Sequence, residues 1–272
     1  TQVTVGTSTT LLVRVKDYFG NNVSGSNVNF SIYQEPSSGG FFTGTNPASS
    51  GSDGIASISI TISTLIGETI VQASGEGLSG INNVFVTING TASTPNALAF
   101  LTPSGGITSV TVFTQQLISV NITDEYGNPV PNIRVNFTID NNPGNNATLS
   151  ANFNYTDAFG NASIILNVSS IAGENRVSIE APGGLSDTAK ITGTADNAYS
   201  LEMLIANGTQ KTVRGTQSIQ VNVTDQFGNP KWNKTFGSDG YERPEALIEC
   251  QNGDFAIIGN TKGFGAGGQD AW

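Results

Sequence analysis

Apolar and polar residues alternate in the same short pattern three times along the chain. Leu11, Val13 and Val15 stand two apart, as do Ile118, Val120 and Ile122, and again Ile219, Val221 and Val223. A period of two places one set of side chains on a buried sheet face and the other in water, so each run predicts a half-buried strand. Downstream, Val28, Phe30 and Ile32 match Val135, Phe137 and Ile139, while Ile58 and Ile60 match Ile164 and Leu166. Clusters of Gly, Asn, Ser and Pro separate these runs. Roughly seven short strands per hundred residues, with turn signals between them, predict a two-sheet sandwich.

The polar residues repeat as well. Leu11 to Phe30 reads LLVRVKDYFGNNVSGSNVNF, Ile118 to Phe137 reads ISVNITDEYGNPVPNIRVNF, and a third copy opens at Ile219 as IQVNVTDQFGNP. Farther on, SDGIASISI (52–60) aligns with FGNASIIL (159–166), and Gly67-Glu68 with Gly173-Glu174. Whole modules therefore repeat, and the expected division is 1–94, 95–196, a partial third module over 197–230, and a different segment over 231–272. The predicted fold class is all-β: tandem immunoglobulin-like β-sandwiches, an incomplete third module, and a C-terminal β-hairpin or blade fragment.

Each copy carries an Asp-x-x-Gly-Asn element at a strand end: Asp17, Gly20 and Asn21; Asp124, Gly127 and Asn128; Asp225, Gly228 and Asn229. An Asp side chain can accept hydrogen bonds from turn amides, and Gly supplies a positive φ without steric cost. The element is read as turn chemistry rather than a ligand site. The aromatic before each glycine (Phe19, Tyr126, Phe227) is expected to cover the end of its own core.

These residues resemble the bacterial Ig-like family 1 modules of invasin- and intimin-type adhesins. The second copy carries the pattern most fully, in Asp124, Gly127, Asn128, Pro129, Val130, Val135, Phe137, Thr156, Gly160 and Ala162; the first has Asn22 where proline is usual. The resemblance runs over residues 1–196 and the opening of the third copy to Pro230. It implies a rod of surface-exposed domains belonging to a larger surface protein, with adhesion proper in a tip module not seen here.

After Pro230 the pattern changes. Residues 231–272 are similar to the W-x-K-T-F-G … G-x-F-A-I-x-G-x-T … F-G-A-G-x-x-D-x-W unit of β-propeller-like surface proteins, chiefly archaeal. ALIEC and FAIIGN read as two strands joined near Asn252-Gly253, a strong hairpin signal. One blade cannot close a propeller, so residues 197–272 are expected to fold less securely than the first two modules. A half-finished third module would also expose strand edges able to self-associate or exchange strands in a filament or sheath.

Composition narrows the function. A net charge of −10 over 272 residues disfavours nucleic acid, which needs clustered Lys and Arg. Histidine is absent, which removes the commonest general base and any Ser-His or Cys-His arrangement, so no enzyme is expected. The single Cys250 sits in an apolar strand pattern and reads as a structural thiol. Neither cofactor nor metal is expected, since the linkers 89–96 and 193–197 offer only Asp196 as a calcium ligand. No run of about 18 apolar residues predicts a spanning helix. Thr1 leads straight into strand-like sequence, and Trp272 falls in a Gly-rich run, so a processed or excised piece of a longer protein is expected.

Twelve N-x-S/T sequons, against about six expected by chance, mark candidate glycosylation sites: Asn22, Asn29, Asn89, Asn121, Asn136, Asn146, Asn154, Asn161, Asn167, Asn207, Asn222 and Asn233. The leading functional expectation is an extracellular or cell-surface stalk or adhesin spacer. The alternatives are a carbohydrate-binding module using Tyr33, Phe41, Phe42, Phe153 or Tyr155 against cell-surface glycans, and an accessory part of a secreted hydrolase.

Overall fold

The first alternating run becomes a strand whose inward residues meet a second sheet, and the same arrangement recurs in the second copy. The computed structural model describes residues 1–75, 83–203, 219–236, 242–249, 255–261 and 270–271. In the first module the strands are β1 (Gln2–Thr4), β2 (Ser8–Arg14), β3 (Asn27–Gln34), β4 (Phe41–Thr43), β5 (Ala48–Ser49), β6 (Ile55–Thr61), β7 (Gly67–Gly75) and β8 (Val84–Thr91). They form one sheet in the order β1-β8-β7-β3-β5 and a facing sheet in the order β2-β6-β4. Leu11, Ile58 and Ile60 from one sheet pack against Phe30, Val71 and Ile88 from the other. Full burial of such side chains contributes about 1.5–3 kcal/mol each.

The second module adds a strand. It runs β9 (Ala97–Thr102), β10 (Ile107–Thr111), β11 (Gln115–Thr123), β12 (Arg134–Asn141), β13 (Thr148–Leu149), β14 (Phe153–Tyr155), β15 (Asn161–Asn167), β16 (Gly173–Ala181) and β17 (Leu185–Thr194). Its sheets are ordered β10-β17-β16-β12-β14 and β13-β15-β11-β9. β9 lies antiparallel to β11, with Phe100 opposite Val120 and Leu98 opposite Ile122. The core joins Ile118, Val120, Ile122 and Leu166 to Phe137, Val177, Ile179 and Ile191.

One polar side chain holds each sandwich at the same corner. Thr156 Oγ1 donates to the Val130 carbonyl (2.7 Å) and accepts the Ile133 amide (2.8 Å). Ser50 does the same in the first module, bonding the Val23 carbonyl (2.7 Å) and the Ser26 amide (2.9 Å). Gly160 follows at φ +75°, where a Cβ would come within 2.4 Å of the Ile122 carbonyl oxygen. Thr156, Gly160 and Ala162 thus belong to a corner that tolerates no side chain at its glycine.

The third copy departs from the first two. In those, the chain after the Asp-x-x-Gly-Asn turn makes a single bridge, Lys16 with Asn22 or Thr123 with Pro129, and then crosses to the other sheet. Here β18 (Ser200–Met203), β19 (Ile219–Thr224) and β20 (Pro230–Phe236) form one three-stranded sheet, and β20 folds straight back along β19 with Trp232 opposite Val223. Residues 230–236 lack the V-P-N-I-R-V-N-F run that carries the second module across. A separate sheet holds β21 (Glu242–Glu249), β22 (Phe255–Thr261) and β23 (Asp270–Ala271), with Glu249 opposite Phe255. Cys250, Asn252-Gly253 and the Gly-rich run 263–268 lie outside the described residues.

Candidate functional site

The Asp-x-x-Gly-Asn element folds identically in all three copies. One oxygen of the Asp accepts the amides two and four residues on: Phe19 and Asn21 to Asp17 (2.9 and 2.8 Å), Tyr126 and Asn128 to Asp124 (both 2.9 Å), Phe227 and Asn229 to Asp225 (both 2.9 Å). The other oxygen accepts the Asn side-chain amide at 3.0, 2.9 and 2.9 Å in chain order. Gly20, Gly127 and Gly228 stand at φ +89°, +84° and +84°, the left-handed region the turn requires.

What differs is the turn's surroundings. Asp124, Asn128, Asp225 and Asn229 are buried, whereas Asp17 and Asn21 are exposed. At the first junction Asn128 reaches into the preceding module: its side-chain amide donates to the Thr64 carbonyl (2.8 Å), and its Oδ1 accepts the Ile66 amide (3.1 Å). Asp124 Oδ2 takes the Ser93 amide from the linker (3.0 Å). At the second junction Asn229 bonds the Ser170 carbonyl (2.6 Å) and the Ala172 amide, and Asp225 Oδ2 takes the Asp196 amide (2.9 Å). Thr64 and Ile66 occupy the place in the first module that Ser170 and Ala172 occupy in the second. Each junction is therefore the same clamp: a charged Asp fixes an Asn, and the Asn reads a carbonyl and an amide two residues apart on its neighbour.

The aromatic residue of the turn corrects an expectation. It covers the preceding module rather than its own core. Phe227 packs on Phe113 with ring centroids 5.3 Å apart. Tyr126 faces Gly6, the residue corresponding to Phe113, where a Cβ would meet the Tyr126 hydroxyl at 2.8 Å. Phe19, with no module in front of it among the described residues, is 84% exposed. The turn's length leaves the ring pointing beyond the sandwich end, so it packs only where a neighbour is present.

Electrostatics favour the ionised clamp. Burial opposes the charge on Asp124, but bonds from the Asn128 side chain and the Ser93, Asn128 and Tyr126 amides outweigh it and hold the carboxyl below its ordinary value. Burial likewise opposes the charge on Asp225, and bonds from Asn229, Asp196 and Phe227 lower it on balance. In Asp17 the Asn21 side chain is the chief cause of the lowering.

The other candidate residues fall outside this joint. The side-chain amides of Asn121, Asn154 and Asn167 are engaged with Phe159, Ser163 and Thr148, and that of Asn146 with Ser170. Asn22, Asn29 and Asn89 are exposed, with no side-chain bond among the described residues. Asn136, Asn161 and Asn222 are half-buried, Asn207 lies outside the described residues, and Asn233 is placed on β20. Phe42 packs on the first core, while Tyr33 pairs edge-on with Phe85 at 5.2 Å and Phe153 with Tyr155 at 5.9 Å under the Arg134 guanidinium. Asp196 joins the second clamp through its backbone and accepts Gln226 on its side chain (3.3 Å). Among the described residues no helix is long and apolar enough to cross a membrane.

Sequence reasoning missed the acceptor half of the clamp. Its signal was present: the matched Gly67-Glu68 and Gly173-Glu174 close the very turns that the Asn side chains read, with the glycines at φ +137° and +142°.

Residues 114–194 match the family model of the bacterial Ig-like domain (group 1). No curated protein matches the chain significantly. Among solved structures, the chain resembles FdeC, an Escherichia coli adhesin, at 18% identity and a TM-score of 0.60, covering 98% of this chain and 91% of that one. It also resembles InvD of Yersinia pseudotuberculosis at 14% identity and a TM-score of 0.51, covering 99% and 94%. At these identities the likeness concerns the fold: the chain is all-β and its sandwiches are immunoglobulin-like.

Proposed function

We propose that this chain is a non-enzymatic stalk or spacer segment of a cell-surface or extracellular protein, and that its Asp-x-x-Gly-Asn turns set the geometry between successive modules. The observation that carries the reading is the recurrence of one clamp, with the same atoms, at two successive junctions. A binding module needs one accurate surface; a spacer needs a joint that repeats. The likeness to the adhesin FdeC supports placing the segment in an adhesin, with adhesion itself residing in other domains.

The carbohydrate-binding alternative requires aromatic faces presented in a row. The exposed pairs here are edge-to-face and sit on separate modules, which favours the spacer. The blade-like resemblance of residues 231–272, glycosylation at exposed Asn22, Asn29 and Asn89, and self-association through the third module belong to the same surface-protein reading.

Single-molecule force spectroscopy tests the proposal. A spacer built of two complete sandwiches gives two main unfolding events, each releasing roughly 300 Å at about 3.3–3.6 Å per residue, and the chain is retained by no immobilised glycan. A single event, or glycan retention abolished by Tyr155→Ala, contradicts it.

A further inference from the structure

One turn differs between the two complete modules at a single side chain. Residues 4–7 read T-V-G-T and residues 111–114 read T-V-F-T. The two turns are bonded alike. The Val5 and Val112 amides donate to the Thr91 and Thr194 carbonyls (both 2.9 Å), and the Gly6 and Phe113 amides donate to the Ser63 and Ser169 carbonyls (both 3.1 Å). The Thr7 and Thr114 hydroxyls donate to the Thr4 and Thr111 carbonyls at 2.7 and 2.6 Å. Val5 and Val112 are both buried. The third residue of each turn is left-handed, at φ +69° for Gly6 and +59° for Phe113.

Glycine adopts that conformation freely, whereas a bulky aromatic residue does so only under strain. Phe113 recovers nothing from the core of its own module. Its ring is 70% exposed and lies outside the second core. The ring it meets is that of Phe227, in the turn of the following module. Strain held at a side chain whose aromatic contact lies across a junction points to a role at that junction.

The facing rings differ in the opposite sense. Opposite Gly6 stands Tyr126, whose ring and hydroxyl take the space of the absent side chain. A Cβ at residue 6 would fall 2.8 Å from that hydroxyl and 3.2 Å from Cζ. Opposite Phe113 stands Phe227, which has no hydroxyl, with the centroids 5.3 Å apart. The longer ring thus meets no side chain, and the shorter ring meets another ring. The clamp bonds do not discriminate in this way, because Asn128 and Asn229 each read a main-chain carbonyl and amide. Of the joint contacts described above, the aromatic one alone depends on which side chain the preceding module presents.

We propose that Gly6 with Tyr126, and Phe113 with Phe227, are specificity-determining pairs: a steric key that decides which module can follow which. A phenylalanine in the left-handed turn accepts a phenylalanine from the next module and excludes a tyrosine. A glycine there accepts the tyrosine, and would leave a phenylalanine without its contact. The inference rests on the reading of the Asp-x-x-Gly-Asn turns as joints and deepens it. The clamp fixes how two modules meet, and the key fixes which two.

The test is amide hydrogen exchange, followed by NMR on the full chain, with one reporter at each joint. Asn128 accepts the Ile66 amide across the first joint, and Asn229 accepts the Ala172 amide across the second. Gly6→Phe is expected to speed exchange at Ile66 at least tenfold. Adding Tyr126→Phe copies the pair of the second joint and is expected to restore protection, which a misfolded first module would not regain. Phe113→Gly is expected to have two effects of opposite sign. The urea midpoint of the second module holds or rises as the strain is released, while exchange at Ala172 quickens. A lowered midpoint assigns Phe113 to packing within its own module and overturns the key, as does Ala172 exchange left unchanged. So does Ile66 protected equally in Gly6→Phe and in the parent chain, or a loss that Tyr126→Phe does not reverse. Ile66 unprotected in the parent chain overturns the joint itself, and the key with it.

Discussion

Asn128 and Asn21 have the same local bonds and different neighbours, so substituting each separates the turn's two roles. Asn128→Ala removes one donor and one acceptor to the preceding module, together with the buried bond to Asp124, and the second module loses about 1–2 kcal/mol. Asn21→Ala, on an exposed turn, shifts stability by less than about 0.5 kcal/mol. Urea unfolding of the two variants checks the contrast. Two glycines give a second one. Gly127→Ala costs about 1–2 kcal/mol from its left-handed φ alone, since nothing lies near its missing Cβ, whereas Gly160→Ala adds a clash with the Ile122 carbonyl and costs more. The clamp carboxyls also fix the pH dependence. Their folded pKa values lie below the ordinary 3.8, so the unfolded chain binds more protons. The stability they contribute is complete above about pH 3.8 and is lost as pH falls through the lowered folded values. Thermal midpoints measured from pH 5 to pH 2 should be flat and then fall, with a shallower fall in Asp124→Asn. Turn chemistry was legible at this scale because Asp and Gly act on their own backbone. The partner of Asn128 was not, because Thr64 is 64 residues away and is recognised through its main chain, which leaves no mark on side-chain identity.

Among the elements, strand positions were the most legible feature. Val28, Phe30, Ile58 and Ile60 lie buried as their alternation requires, and Val135, Phe137, Ile164 and Leu166 repeat them. What alternation does not disclose is which strand closes an edge. Val13 and Val120 occupy equivalent positions in the pattern, yet only Val120 is covered, by Phe100. Val120→Ala should therefore destabilise its module by about 1–3 kcal/mol and Val13→Ala by distinctly less, as read from denaturant midpoints. The third copy shows the same limit. Its strand β19 follows the repeat, but the repeat's crossover depends on the residues after the turn, and with these replaced the chain returns along β19 as a hairpin.

For the molecule as a whole, the decisive property is the rigidity of a joint. Each junction couples a short linker to three polar contacts and one aromatic contact, so neighbouring modules are held in one orientation rather than strung on a flexible tether. The most direct measurement is the distance distribution between spin labels on the first two modules, at Thr43→Cys and Ser186→Cys in a Cys250→Ser background. A clamped joint gives a single narrow distribution, which broadens when Asn128→Ala is added. A distribution already broad in the parent chain, and unchanged by Asn128→Ala, would show that the turn closes only on itself and that the joint does not exist in solution.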